Sequence, residues 1–184
     1  MHQEKQEGLG YAISQAGPYI DDGPILIVLD DGIFEFDPER VINSPDSLIG
    51  VRAVDNPNAF GIVEIDKSSP SSSLSISRLV EKPEVPPTNL AIAGMYYLKN
   101  GRLLIDCLDY LIENDLRGAK NEFQLTDGLQ LMLERGEKMQ AVEIDWIDCG
   151  KVDALLYANR TLLARNENQF SVAGTKDVIF IPPV

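Results

Sequence analysis

The chain has 184 residues, a formal net charge of −13 and a hydrophobic fraction of 44%. This length and composition are enough for one domain with a buried core and do not fit a disordered or fibrous chain. The acidic charge excludes the basic face that a nucleic-acid partner or an anionic membrane surface requires, and no apolar run approaches the roughly 20 residues that span a bilayer. With a polar N-terminal segment and two cysteines, the protein is expected to be cytoplasmic.

Strand-like stretches dominate the first half of the chain. Residues 25–31, an unbroken apolar run that ends in two acids, predict a parallel strand buried on both faces. Asp37 and Pro38 predict the N-cap and first position of a short helix. Four more strands are predicted in SLIGVRAV, GIVEID, LSISRLVEKP and LAIAGMYYL, with a Ser/Pro loop at 68–73 and a proline-rich turn, EVPPTN, between them.

Helical periodicity dominates the second half. Two apolar stripes recur at helical spacing, the second ended by Gly136: Leu104, Cys107, Leu108, Leu111 and Ile112, then Leu125, Leu129, Met132 and Leu133. A strand, KMQAVEIDW, precedes a last helix with Leu155, Leu156, Leu162 and Leu163 on about one face. All three stripes are expected to face the core. Strands followed by strand–helix alternation predict an α/β fold with helices flanking a mixed, mostly parallel sheet.

Two acids, Asp30 and Asp31, stand at the end of the first apolar strand. They fit a surface turn, and they also fit a ligand site, because open α/β sheets bind ligands beyond the carboxyl ends of their strands. A magnesium site of one or two carboxylates would need a second acid from elsewhere. Asp145 and Asp148, which follow a later strand beside Gly150, supply candidates. The only histidine is His2, so histidine-dependent chemistry is nearly excluded.

Six segments, in this order, resemble the sugar-phosphate nucleotidyltransferases of the glucose-1-phosphate thymidylyltransferase and uridylyltransferase type. They are QEKQEGLGYAI, PILIVLDDGIF, DNPNAFGIVEID, RLVEKPEVPPTNLAIAGMYYL, NEFQLTDGLQLMLERG and DWIDCGKVDALLYANRTLL. The resemblance spans about residues 3–165. Its most specific part is VEKP…PPTN.A..G.Y combined with the acidic strand end and the W-x-D-x-G segment. It implies a Rossmann-like fold of the nucleotide-diphospho-sugar transferase type that is incomplete at its N-terminus.

The resemblance also implies roles for individual residues. Asp31 and Asp148 match the ligands of Mg²⁺, although Mn²⁺ fits the same carboxylates, and Asp30 stands where relatives usually carry Gly. Asp31 and Lys82 are the implied catalytic residues. The implied substrate-binding residues are Gln3 and Gly8 near the nucleotide base, Gly61 against the sugar, Glu81 on the sugar hydroxyls, Lys82 on the sugar phosphate, and Ile92 in the sugar pocket. Taken singly, Glu81, Lys82 and Gly61 would be ordinary strand-end or turn residues; their conjunction carries the inference.

The implied reaction joins a sugar-1-phosphate to a nucleoside triphosphate, dTTP or UTP, to give an NDP-sugar and pyrophosphate. No covalent enzyme intermediate is needed, so catalysis would rest on positioning and charge neutralisation. The family's Gly-rich loop followed by Arg, which wraps the triphosphate, has no match in the 184 residues. Residues 1–167 are therefore expected to form an incomplete catalytic domain, and this chain alone is expected to be inactive.

Two further expectations follow from the resemblance. Residues 168–184 are expected to be a linker that can begin a left-handed β-helix. In the family a first strand lies beside the one at residues 25–29, and its absence here would leave residues 25–29 as an exposed edge. A symmetric partner, making a homo-oligomer, or a rearranged segment is expected to cover that edge. The alternatives to an enzyme are a non-catalytic regulatory or assembly subunit and a sugar-phosphate-binding module.

Overall fold

The structure, a computed structural model, describes residues 5–68 and 74–165. Its helices are α1 (Leu9–Ser14), α2 (Pro38–Ile42), α3 (Gly101–Glu113), α4 (Leu125–Glu134) and α5 (Val152–Arg165). Its strands are β1 (Ile25–Val28), β2 (Gly32–Glu35), β3 (Ser47–Ala53), β4 (Gly61–Ile65), β5 (Ile76–Glu81), β6 (Leu90–Leu98), β7 (Met139–Glu143) and β8 (Asp145–Asp148). The predicted α/β class is confirmed. The predicted linker at 168–184 and Gln3 lie outside the described residues.

The central strand of the main sheet is β6. It pairs antiparallel with β3, and also with β4 near Ala91 and with β1 at residues 95–98. Strand β5 pairs with β4, and β7 pairs with β3. The sheet is mixed, as predicted, but among the described pairs only β3–β7 is parallel. The parallel share is smaller than expected because β4, β5 and β6 follow one another without crossover helices, and such connections produce antiparallel neighbours.

Strand β1 is not buried on both faces, which corrects the sequence-based expectation. Ile25 and Ile27 pack on the core, whereas Leu26 and Val28 are each 45% exposed. An unbroken apolar run indicates that both faces of a strand would be stabilised by burial. It cannot show that another part of the protein packs on both faces. Among the described strands β1 pairs with β6 alone. The predicted cover of its other edge by a partner or another segment stays a prediction.

Helices α3 and α4 pack on one face of the sheet and form the main core, as their stripes predict. Leu104, Leu108, Leu129 and Met132 are fully buried there. Asn100 caps α3 by accepting the Leu103 amide at 2.9 Å. After α4 the chain turns at a glycine with φ 95°, and the amide two residues past the helix cap bonds back to Met132.

Helix α5 corrects a second expectation, since its apolar stripe is not core. Leu155 and Leu156 are 52% and 57% exposed, and only Ala158 is buried among the residues of this helix. The helix packs against β8 at the margin of the molecule, where no layer of the described chain covers its outer side. In the part of the chain that the structure describes, no helix is both long and apolar enough to cross a membrane.

The predicted strand KMQAVEIDW is divided into two strands. Ile144 is buried between them, and its amide bonds to the Val51 carbonyl at 3.2 Å. After this residue the chain leaves the main sheet as β8 and pairs antiparallel with β2 in a separate two-stranded ribbon. Neither β2 nor α1 is predicted from the sequence. The ribbon matters because Gly32, which follows the acidic doublet, lies opposite Asp148.

Candidate active site

A cleft of about 340 Å³ opens between the main sheet, the start of α4 and the β2–β8 ribbon. Its size is that of a small-molecule site. Six of the residues singled out in the sequence line it together: Asp31, Gly61, Glu81, Lys82, Ile92 and Asp148. These residues come from five separate stretches of chain, so their meeting follows from the fold rather than from sequence proximity.

Glu81, the last residue of β5, is held at both carboxylate oxygens. Its side chain is 12% exposed, and its Oε1 lies 3.0 Å from the Lys82 ammonium. Its Oε2 accepts a hydrogen bond of 2.6 Å from the Thr126 hydroxyl. Bonds to a charged acceptor are stronger than neutral ones, so the carboxylate has a fixed orientation while keeping lone pairs for a ligand in the cleft.

Lys82, the residue directly after β5, has an unusual backbone conformation. Its φ is 41°, and its amide bonds to the Phe60 carbonyl at 3.1 Å. A non-glycine residue in the left-handed region costs free energy, and such residues cluster at functional sites. Here the turn brings the ammonium beside Glu81 at the cleft wall. The cleft therefore carries a half-exposed cation next to a nearly buried carboxylate.

Gly61 lies opposite Glu81 in the β4–β5 register. A Cβ at this position would stand 2.9 Å from Glu81 Oε2, 3.0 Å from Ile92 Cδ1 and 3.1 Å from Thr126 Oγ1. All three distances are shorter than ordinary van der Waals contact, so a side chain would displace the wall. Glycine leaves its backbone open to the cleft, with Ile92 supplying an apolar surface beside it.

The ribbon brings Asp31 and Asp148 to one place. The Cys149 amide bonds to the Asp31 carbonyl at 2.8 Å, and the Gly150 amide bonds to Asp148 Oδ1 at 3.0 Å. A Cβ on Gly150 would lie 3.2 Å from Asp148 Oδ1 and 3.7 Å from Asp31 Oδ2. Both carboxylates thus border the same small space. Both acids of the doublet are exposed, but only Asp31 lines the cleft, and in this the two differ.

This pair fits a magnesium ion by its chemistry. Carboxylate oxygens are hard donors, and Mg²⁺ in phosphate-transfer sites usually takes one or two of them together with substrate phosphates and water. Among the described residues no group of three or more His, Cys, Asp or Glu could hold a metal. The two carboxylates therefore suit an ion whose remaining ligands come from a phosphate and water rather than a closed protein cage.

Gly8, predicted near the nucleotide base, borders the cleft without lining it. It precedes α1 with φ 107°, and a Cβ there would stand 2.6 Å from the Phe123 carbonyl. The Phe123 amide bonds to the Glu7 carbonyl and the Gly10 amide to the Phe123 carbonyl, each at 2.8 Å. This segment is thereby fixed to the loop before α4, and the next residue, Leu9, lines the cleft.

Several lining residues were missed from the sequence, among them Tyr96, Glu122, Gln124, Thr126 and Trp146. Burial raises the pKa of the Tyr96 hydroxyl well above its ordinary value, and the charges of Glu81 and Asp31 raise it further, so it stays protonated as a donor. Trp146 packs edge-on against Phe60, with ring centroids 5.3 Å apart. In the sequence, Tyr96 in an apolar strand and Thr126 at the start of a helix indicate only core packing and capping, and nothing in their local pattern predicts a ligand site.

The comparison with protein families matches the Nucleotidyl transferase family over residues 1–165. Among curated proteins, the low-salt glycan biosynthesis nucleotidyltransferase Agl11 of Haloferax volcanii is 32% identical over 166 residues, covering 85% of this chain and 43% of the relative. The UTP–glucose-1-phosphate uridylyltransferase 1 of Staphylococcus saprophyticus is 35% identical over 141 residues, covering 71% of this chain and 47% of the relative. The chain thus spans less than half the length of these relatives.

Solved structures show the same fold. UDP-glucose pyrophosphorylase in complex with UDP-glucose superimposes with a TM-score of 0.72 at 23% identity, covering 90% of this chain and 65% of that one. A proposed glucose-1-phosphate thymidylyltransferase from Bacillus anthracis, in complex with sucrose, gives a TM-score of 0.67 at 25% identity, covering 92% and 65%. The predicted nucleotide-diphospho-sugar transferase type of fold is confirmed, and the chain belongs to the nucleotidyl transferase family.

Proposed function

We propose that the cleft binds the sugar-1-phosphate of a nucleotidyl transfer reaction that gives an NDP-sugar and pyrophosphate. The observation that supports this most is a single small-molecule cleft holding the Glu81–Lys82 pair on one side and the Asp31 and Asp148 carboxylates on the other. A carboxylate suits sugar hydroxyls, an ammonium suits a phosphate, and two further carboxylates suit the metal that phosphoryl chemistry uses.

Each residue has a task in this proposal. Glu81 accepts hydrogen bonds from sugar hydroxyls, and Lys82 neutralises the sugar phosphate as a point charge. Ile92 and the backbone of Gly61 line the sugar pocket. Asp31 and Asp148 would hold Mg²⁺, which, when bound, neutralises phosphate charge and orients the reactants. The sugar-phosphate oxygen then attacks the α-phosphorus in line, so the protein contributes positioning and needs no covalent intermediate.

The nucleotide base would bind near the start of the chain. Gly8, fixed against the loop before α4, and Gln3 are proposed for the base, and UTP or dTTP is the proposed triphosphate. The names of the uridylyltransferase and thymidylyltransferase relatives support that choice of bases. Cytoplasmic location, homo-oligomerisation and the lack of turnover by this chain alone stay predictions.

Calorimetry with glucose-1-phosphate tests the sugar-phosphate site. The full chain should bind this ligand, more tightly with Mg²⁺ than without it, and Glu81→Gln should weaken binding by at least about tenfold, since a bond to a charged group is lost. Asp30→Asn, an exposed neutralisation outside the cleft, serves as the control and should bind like the wild type. Failure of the wild type to bind, or equal binding by Glu81→Gln, would refute the proposal.

Turnover is tested separately by pyrophosphate release with UTP or dTTP, Mg²⁺ and sugar-1-phosphates. Binding without release is the expected result for residues 1–184 alone. Release at a rate typical of the family would refute the expected inactivity while supporting the reaction itself. Binding of the sugar phosphate without any effect of nucleotide would instead favour a sugar-phosphate-binding module.

A further inference from the structure

We propose that Thr126 is a positioning residue that fixes the Glu81 carboxylate for sugar recognition, an inference that rests on the proposed function. Thr126 was not singled out in the sequence. Its hydroxyl donates to Glu81 Oε2 at 2.6 Å on the same side of the cleft, although the two residues are 45 positions apart in the chain. It is the second residue of α4 and is 4% exposed.

The helix makes Thr126 a rigid donor. Threonine has few χ1 rotamers, and α4 packs directly against β5, the strand that ends in Glu81. Among the residues that the structure describes, the other group bonded to this carboxylate is the Lys82 ammonium, whose side chain is 37% exposed. Lysine is also the group proposed to turn toward the sugar phosphate. Once a phosphate competes for that ammonium, Thr126 becomes the bond that still holds the carboxylate in place.

The surroundings leave Glu81 few alternative positions that would still face the cleft. A Cβ at Gly61 would stand 2.9 Å from Glu81 Oε2 and 3.1 Å from Thr126 Oγ1, so only a glycine leaves room beside this pair. The threonine hydroxyl has a single proton, and that proton is used by Glu81. Thr126 therefore acts on the sugar through Glu81 rather than by donating a hydrogen bond to the sugar itself.

A double-mutant cycle measured by calorimetry with glucose-1-phosphate tests this inference. Thr126→Val keeps the shape but removes the donor, and should weaken binding about tenfold. Thr126→Ser restores the donor and should bind within about twofold of the wild type. In the Glu81→Gln background, Thr126→Val should cause little further loss, because the group it orients has already changed.

Inorganic phosphate is the second probe, since it engages Lys82 but presents no sugar hydroxyl. Thr126→Val should bind it like the wild type, whereas a general distortion of the cleft would weaken both ligands. Thr126→Ala repeats the test if the valine variant unfolds at a lower urea concentration than the wild type. Wild-type affinity of Thr126→Val for the sugar phosphate, or an undiminished loss in the Glu81→Gln background, would overturn the inference.

These outcomes separate the inference from the function on which it rests. If the wild type fails to bind glucose-1-phosphate, or if Glu81→Gln binds it normally, the proposed function fails and the role of Thr126 fails with it. If the wild type binds and Glu81→Gln does not, while Thr126→Val stays normal, only the positioning role is overturned.

Discussion

The two sides of the cleft are built in different ways. The sugar side, with Glu81, Thr126 and Gly61, stands on the main sheet and α4, where neighbouring residues are almost completely buried. The metal side, with Asp31 and Asp148, stands at the end of a ribbon of two four-residue strands outside that sheet. On the sugar side the Glu81 carboxylate is fixed by side-chain bonds before any ligand binds. On the metal side the Asp148 carboxylate accepts the Gly150 amide, whereas the Cys149 amide bonds to the backbone carbonyl of Asp31 rather than to its carboxylate.

This difference indicates which half is preorganised. A carboxylate that recognises hydroxyl groups by their positions gains from a rigid environment, because its side chain then loses little conformational entropy when the ligand binds. A pair of carboxylates that binds a divalent ion needs less prior order, since the ion itself draws the ligands together. Local stability should follow the same division, with the ribbon and α5 opening more readily than the main sheet.

The largest effect is expected from truncating a core leucine under the sugar side. Leu108 is fully buried, and its side chain packs against Gly128 of α4. Leu108→Ala should lower the free energy of unfolding by about 2–5 kcal/mol, because a cavity adds to the lost burial. Leu156→Ala, on the exposed side of α5 behind the ribbon, should change it by less than about 0.5 kcal/mol. Urea unfolding measures both, and equal losses would contradict the proposed division.

The next effect concerns the metal side and the two acids of the doublet. Asp31→Asn should weaken Mn²⁺ binding, measured by electron paramagnetic resonance, by at least about tenfold. Even the mutation of a residue that only hydrogen-bonds to a metal ligand typically weakens metal binding by about that factor. Asp148→Asn should do the same. The adjacent Asp30→Asn is the matched control, with the same charge change one residue away. Equal weakening by Asp30→Asn would show nonspecific attraction to an acidic surface rather than a site.

A pair of glycine substitutions compares the two sides directly. Gly61→Ala places a Cβ 2.9 Å from Glu81 Oε2 and should cost about 1–3 kcal/mol in unfolding free energy, because the atoms it meets are held in place. Gly150→Ala on the ribbon meets its nearest atom at 3.2 Å, in a backbone conformation that alanine can adopt, and should cost less than about 0.5 kcal/mol. Urea unfolding measures both changes in unfolding free energy. A larger loss for Gly150→Ala than for Gly61→Ala would contradict the prediction.

Local sequence patterns predicted the sugar side better than the metal side. Strands β3, β4, β5 and β6 and helices α3 and α4 are long enough for alternation, periodicity and capping residues to show. Asp37 indeed caps α2 by accepting the amides of the next turn. The ribbon strands have four residues each, too few for a period to emerge. Their pairing depends on the interruption of the predicted strand at Ile144. Tertiary packing imposes this interruption, and the local sequence does not encode it.

The same limit explains the errors in the predicted burial. Leu155 and Leu156 of α5 and the alternate residues Leu26 and Val28 of β1 are apolar. They are nevertheless about half exposed, because burial depends on what lies opposite. A pattern describes one surface of a contact and never its partner. The cleft residues that were missed follow this rule too: the function proposed for Thr126 depends on Glu81, which stands on another element and 45 residues away.

The smallest expected effect is a pH dependence at the first turn of α4, next to the sugar side. Burial raises the pKa of Asp127 above its ordinary value, and the charge of Glu81 raises it further. Below the ordinary pKa the folded and unfolded states are both protonated, so the group has no effect on stability. As the pH rises, the unfolded state loses its proton first, and stability falls until the folded carboxyl has also ionised.

Asp127→Asn removes this titration, so the stability of the variant relative to the wild type should grow as the pH rises through and above the ordinary aspartate pKa of about 3.9, and level off once the folded carboxyl has also ionised. Urea unfolding at several pH values measures the difference. The matched control is Asp153→Asn, an exposed acid in the first turn of α5. Measured at the same pH values, it gives the effect of neutralising one exposed acid, against which the result for Asp127→Asn is compared. A stability difference between Asp127→Asn and the wild type that stays constant with pH would contradict the prediction.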